Sequence, residues 1–410
     1  MYELEDEKFR FRQDPADPQF FADPYPFYKR LHEQGTAIYW QEYGLWCVSR
    51  FDSVNQILRD KRFARLPPPA NKSIATADHM QDFARAERYS LLALEPPEHT
   101  RLRRLVNHAF VRRKVEQLQP VVTAMANAYI DSFERRQSTD LVSSFASVLP
   151  VQVITQLLGI PSEDGPQLVD WSHTMVRVYT LTQSEQDERK ANHASACFIS
   201  YIEKLLTIKR KKPDDGLLSH LLQIQREHQS LLDDEIISIS ILLLNAGHEA
   251  TVHQIGNAIY TLLETYPSQR RAELRNMLNT EKGTEAVVAE CLRFDAPLHL
   301  FTRFAQEDVQ IEPAVCIRKG DQVGLLLAAA NRCPQKFSHP DRFIPLRDDA
   351  AHLSLGAGIH FCLGAQLARM ELKVALRSVF ARLPEIRLQA KPEFRNTYHF
   401  RGLQKLPVVW

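Results

Sequence analysis

The sequence predicts a mainly α fold with small β-sheets, and three observations carry that expectation. Residues 115–135, 150–158, 194–211 and 233–264 place apolar side chains three and four apart with few breakers, the period of a helix with one buried face. Two stretches instead gather β-branched and aromatic residues around a turn signal: 37–50 around Tyr43-Gly44, and 308–327 around Lys319-Gly320-Asp321. Neither a Gly/Ser-rich linker nor an internal repeat divides the 410 residues, so 1–410 is expected to form one large domain.

The stretch 37–50 is expected to be a hairpin. Pro67-Pro68-Pro69 then opens a long polar connection to about residue 90. After the helices at 115–135, 150–158 and 194–211, the basic run 209–212 meets Pro213-Asp214-Asp215, which reads as a solvated loop rather than a nucleic-acid patch. The helix at 233–264 has Asp233 as its expected N-cap and Glu235 in its first turn. A last helix is expected to begin near Ala365.

Hydrophobic residues at 44% and charged residues at 25% describe a globular chain with ample core, and a formal net charge of +1 gives no global attraction to nucleic acid or membrane. The N-terminus is too acidic for a signal peptide. The most apolar run, 236–247, is interrupted by Ser238, Ser240 and Asn245 and is shorter than the roughly 18 residues a span requires. A cytoplasmic monomer without a membrane anchor is expected. Six cysteines (47, 197, 291, 316, 333, 362) show no paired spacing, which favours free thiols over a disulfide frame or a zinc site.

One of these cysteines stands apart. Leu355-Gly-Ala-Gly-Ile-His-Phe-Cys362-Leu-Gly364 puts a thiol in a glycine-rich loop running into a helix. Gly356, Gly358 and Gly364 let the backbone approach a flat macrocycle, and amides at the helix start can share the negative charge of a sulfur. The pattern reads as a thiolate ligand for haem iron, a ligand that donates electron density and favours O–O cleavage.

The Gly-x-Gly-x-His-x-Cys-x-Gly block resembles the haem-binding signature of the cytochrome P450 family, with Leu355 where that family usually has phenylalanine. The resemblance extends over nearly the whole chain. Glu290-x-x-Arg293 and the following Pro340-Asp-Arg-Phe343 are similar to the family's buried Glu–Arg–Arg trio, which would make Arg342 the third member and Arg347 the second choice. His99 and Arg103, Arg303, and His360 fall where the family binds the propionates of haem b. The closing segment around 400–408 resembles the family's C-terminal strand region.

Leu243-Leu-Asn-Ala246-Gly-His-Glu249-Ala250-Thr251 resembles the family's oxygen-binding helix, whose usual order is small-Gly-x-acid-Thr. Glu249 supplies the acid, but Ala250 stands in place of the alcohol and the hydroxyl comes one residue later, at Thr251. One residue turns a helix by about 100°, so Thr251 does not replace the lost threonine unless the helix distorts. Substrate walls follow only from family position: the 70–92 connection, Leu243, Leu244, Ala246, Ala250, Leu298, His299, Phe301, Tyr398, His399 and Phe400.

The resemblance implies a haem-thiolate mono-oxygenase. It would use O2 to hydroxylate or epoxidise a mostly apolar small molecule, with electrons from NAD(P)H through a ferredoxin reductase and a ferredoxin. An acidic ferredoxin is expected to dock on Arg101, Arg104, Arg112, Arg113, Lys114 and Arg369. Ala250 keeps open a peroxide-driven peroxygenase or a non-oxygenase haem-thiolate catalyst, and a haem-based sensor is a further alternative.

Overall fold

The computed structural model describes residues 9–68, 77–179, 184–228, 231–313 and 315–410. Among the described residues helices dominate, with four small sheets between them. The 37–50 stretch forms the expected hairpin: Ala37–Trp40 pairs antiparallel with Leu45–Val48, Ile38 facing Cys47. That hairpin joins a six-stranded sheet because Gln322–Leu326 runs parallel to Leu45–Val48 and antiparallel to Leu300–Ala305. Gly324 permits the junction, since a Cβ there would stand 2.7 Å from the Cys47 sulfur. The second β-rich patch supplies Val309–Glu312 and Val315–Ile317, paired with each other.

The helix Asp233–Thr265 is the axis of the fold. Its 33 residues span roughly 50 Å at about 1.5 Å per residue. It is buried on nearly every side, against the helices Leu149–Leu158, Gly165–Val176, Glu185–Lys211, Glu281–Phe294 and Ala365–Arg382. Its N-cap is Leu232, extended at φ −90° and ψ 154°, so Asp233 is the first helical residue rather than the expected cap. Glu235 does the capping instead, accepting the Leu232 N–H at 2.9 Å while also pairing with Arg101. Among the described residues no helix is long and apolar enough to cross a membrane.

The buried carboxylate of Glu290 ties the helix Glu281–Phe294 to the chain ahead of the cysteine loop. Arg293 grips it with two bonds of 2.8 Å, and Arg347 adds Nε to Oε2 at 3.0 Å. Arg342 is therefore not the third guanidinium. It is exposed, and only its carbonyl joins the group, accepting from Arg293 Nη2 at 3.1 Å. The turn at residues 339–342 points that side chain outward, while Arg347 folds back and is 9% exposed.

Candidate active site

The cysteine loop is shaped by its own backbone. Gly356 and Gly358 both adopt φ +69°, and a Cβ on Gly358 would collide with the Leu58 carbonyl. The Cys362 N–H closes the loop onto the Leu355 carbonyl at 2.9 Å. The helix Ala365–Arg382 then starts with Gly364 as its cap. Burial pushes the Cys362 thiol up, whereas the Gly364 N–H on the sulfur, followed by the charges of Arg103 and Arg369, pulls it down. A Cβ on Gly364 would meet no atom within 4 Å, so open space lies beside the sulfur.

A cationic group closes around this loop. Arg103 donates from Nη2 to the Phe361 carbonyl at 2.5 Å. His99 is 2% exposed, and its ring packs on His360 with 4.6 Å between centroids. Burial, then the neighbouring His360 and Arg103, lowers His99 to about 4. Arg303 from the strand Leu300–Ala305 is also buried; desolvation, then Arg65, brings its guanidinium down to about 9. Three buried nitrogens here have no partner among the described residues, His99 Nε2, His360 Nδ1 and Arg303 Nη2; the arginine nitrogen is a donor and His99 Nε2 can be one. Buried donors require acceptors, and carboxylates are the strongest for arginine and histidine. A flat macrocycle with two carboxylates, lying on the glycine face beside Cys362, fits both the open space and these donors.

Two further members, Arg65 and Glu95, are not among the residues expected from sequence. Arg65 donates Nη1 to the Thr302 carbonyl at 2.7 Å, and Glu95 accepts the Arg65 N–H at 2.7 Å and His360 Nε2 at 3.4 Å. Phe301 lies between Arg65 and Arg303, with guanidinium carbons 4.3 and 4.7 Å from its ring centre. Neither Arg65 nor Glu95 belongs to a short motif, which is why sequence spacing missed them.

On the central helix, Ala246 is exposed although Leu243, Leu244 and His248 around it are 7%, 2% and 2% exposed, so the helix opens onto space at that residue. Gly247 does something different: a Cβ there would stand 3.1 Å from Ile154, so it admits the helix Leu149–Leu158. The helix runs unbroken through 246–251, and Thr251 bonds its own Gly247 carbonyl at 3.3 Å. Thr251 is therefore not shifted into the place of Ala250. Glu249 is raised by burial, an effect that Arg395 opposes.

Several expected substrate walls lie elsewhere. His299 is fully buried with both nitrogens engaged, Nδ1 with the Tyr28 hydroxyl at 2.6 Å and Nε2 with the Ala296 carbonyl at 3.0 Å. Tyr398 accepts from the Tyr28 hydroxyl at 2.9 Å and stacks on Phe20. Both belong to an aromatic core with Phe27 and Trp40, and Leu243 and Leu244 are packed in the main core. Leu298 and Phe400 form a β-bridge, and the His399 carbonyl accepts the His299 N–H at 3.0 Å. Residues 70–76 of the 70–92 connection lie outside the described residues.

The family model for cytochrome P450 matches residues 27–384. The chain belongs to the cytochrome P450 family. It is 34% identical to cytochrome P450 CYP107DY1 of Priestia megaterium over 97% of this chain and 98% of that one. It is 37% identical to the mycinamicin IV hydroxylase/epoxidase of Micromonospora griseorubida, over 89% of each. Among solved structures, P450BioI in complex with acyl carrier protein ligated to hexadec-9Z-enoic acid superposes with a TM-score of 0.86 at 32% identity, covering 96% of this chain and 100% of that one. The protein is thus a haem b mono-oxygenase with the P450 fold.

Proposed function

We propose that Cys362 is the thiolate ligand of haem b and that the protein inserts one atom of O2 into a C–H or C=C bond of a mostly apolar small molecule. The observation that carries this reading is Cys362 in a loop closed on the Leu355 carbonyl, with positive-φ glycines, open space at Gly364 and the buried, unpartnered His99 Nε2 and Arg303 Nη2 near by. Haem supplies the oxygen activation; the protein supplies orientation, dryness and protons. His99, Arg103, Arg303 and His360 hold the propionates, helped by Arg65. Ala246 and Ala250 line the oxygen side, and Glu249 is the acid.

The balance requires two electrons and two protons per O2, giving oxidised product and water. We assign the electrons to an acidic ferredoxin docking on Arg104, Arg113, Lys114 and Arg112, the last of which is already paired with Glu116 at 2.7 Å. Arg101 leaves this set because it pairs with the buried Glu235. One relative is a mycinamicin IV hydroxylase/epoxidase, and one similar structure holds hexadec-9Z-enoic acid ligated to acyl carrier protein. With Ala250 lacking a hydroxyl, a substrate with its own polar group near the oxidised carbon suits this pocket.

Cys362→Ala is the test. The reduced, carbon monoxide-bound protein should show the long-wavelength band of thiolate-ligated haem, and the variant should lose both that band and turnover. A band retained by the variant would remove the assignment. Ala250 also supports a peroxide-driven reaction, so turnover with NADPH, reductase and ferredoxin should be compared with turnover on peroxide alone.

A further inference from the structure

Ala250 leaves Glu249 without a hydroxyl beside it, and the Glu249 carboxyl makes no hydrogen bond to any described residue. What surrounds it is a group of imidazoles. His253 Nε2 stands 3.9 Å from Glu249 Oε1, one helical turn away. This ring is 2% exposed and pinned against the C-terminal hairpin, in which Glu393–Phe394 pairs antiparallel with Leu403–Lys405 and a Cβ on Gly402 would overlap the ring. Its Nδ1 is buried without a partner among the described residues. His248 bonds the Leu244 carbonyl through Nδ1 at 2.7 Å, which makes Nδ1 the protonated nitrogen and leaves Nε2 as an unpartnered acceptor. His173, from the helix Gly165–Val176, packs on His248 with 5.5 Å between ring centres and is open to solvent. Arg395, in the C-terminal hairpin, acts on all four groups, and Asp170 acts on His173.

We propose that His253 is a positioning residue for the oxygen chemistry: with Glu249 it forms an acid–imidazole pair that takes up and passes on one proton on the central helix, reloaded from solvent past His173. Because Gly402 fixes the imidazole, the 3.9 Å gap closes by rotation of the Glu249 side chain. Burial favours the neutral form of each partner, raising Glu249 and lowering His253 to about 3. The carboxyl O–H then donates to Nε2. When the carboxyl turns away, its proton goes to dioxygen as ferredoxin electrons reduce it. The carboxylate left behind faces Arg395 until solvent returns a proton, so the pair ends each delivery as it began.

The role in turnover rests on the oxygen-activating reading above, but the pair itself is tested without turnover. Infrared difference spectra of the resting, haem-bound protein, taken as pH falls through the raised carboxyl, should show the carbonyl stretch of a protonated acid that is absent in Glu249→Gln. His253→Leu should move that stretch to the frequency of an unbonded acid, and His253→Gln, which keeps a hydrogen-bonding group, should largely restore it. An intact carbon monoxide spectrum in each variant reports the fold. No such band in wild type, or a band unmoved in His253→Leu, would overturn the pair.

Product formed per NADPH supplies the second readout. A raised carboxyl keeps its proton until the pH passes its raised value, so yield should fall as pH rises through that point. His253→Leu should lower yield several-fold and shift the inflection. Unchanged yield and inflection with an intact spectrum would overturn the delivery role, whereas a correct infrared result with no ferredoxin-driven turnover would fault the electron donor instead.

Discussion

The sulfur side and the central-helix side of this pocket use hydrogen bonds in opposite ways. Around Cys362 the backbone is engaged: its N–H holds Leu355, the Phe361 carbonyl takes Arg103, and the Ala365 N–H takes the Cys362 carbonyl at 3.3 Å. Around Glu249 the polar atoms are left open, with His248 Nε2 and His253 Nδ1 buried and unpartnered and the acid 3.9 Å from its nearest imidazole. A ligand loop gains from having one geometry. A proton carrier needs two, so it cannot be locked by short bonds. The lesson is that unsatisfied polar groups are informative here on both faces, as carboxylate sites near His99 and Arg303 and as room for movement near Glu249.

If the sulfur side is the rigid one, damage to its support should cost the most. Glu290→Gln would leave Arg293 and Arg347, both nearly inaccessible, without their shared carboxylate. Breaking a buried pair of this kind costs about 3–5 kcal/mol, to be read as a drop in denaturation midpoint and loss of haem. Arg342→Ala, at an exposed residue, should stay within about 0.5 kcal/mol. Equal effects of the two would mean that the trio does not support the loop.

Within the loop, two glycines sharpen the same contrast. Gly358→Ala places a methyl into the Leu58 carbonyl at positive φ and should destabilise the protein by more than about 1 kcal/mol even without haem. Gly364→Ala has φ −82° and open space before it, so the haem-free protein should keep its stability while haem affinity falls. Unfolding and haem titration of both variants separate strain from obstruction.

What the sequence made legible tracks how local each cause is. The cysteine loop is defined by bonds within some ten residues, and the central helix by its own apolar period and acidic start. The helix Glu185–Lys211 begins before the expected residue 194 because its first turn is charged, held by the Ser184–Asp187 capping box rather than by apolar spacing. Arg342 and Arg347 share a segment without regular structure, so no period reveals which guanidinium turns inward. His299 and Tyr398 are themselves expected pocket positions, yet their place is set by Tyr28, more than two hundred residues away in the chain. Tertiary partners of that kind leave no spacing to read.

On the helix side, Ala250→Thr would restore a hydroxyl next to Glu249. A hydroxyl in a proton relay is worth on the order of 100-fold at the lower end of acid–base contributions. With substrates lacking a polar group near the oxidised carbon, the variant should raise product per NADPH and lower peroxide release. With the native substrate it should do little or harm. Equal coupling in wild type and variant across both classes would mean that the Glu249–His253 pair already delivers protons without help from a hydroxyl.

The smallest effect is expected on the outer face, where the charges are exposed and act through steering. Arg112 and Arg113 are solvent-exposed at the start of the helix Arg112–Phe133, and Arg112 is partly neutralised by Glu116 at 2.7 Å. Exposed pairs contribute at most about 1 kcal/mol each, so reversing both to glutamate should slow reduction by an acidic ferredoxin roughly ten- to a hundredfold at low salt. The slowing should fade as salt screens the surface, because charges beyond a Debye length of about 8 Å at physiological ionic strength no longer act. The double variant should therefore show a flatter dependence of reduction rate on salt, with an unchanged thiolate spectrum and unchanged peroxide-driven turnover. Stopped-flow reduction across a salt series measures this directly. Rates that match wild type at every salt concentration would move the docking face away from these arginines, while leaving the interior of the pocket as described.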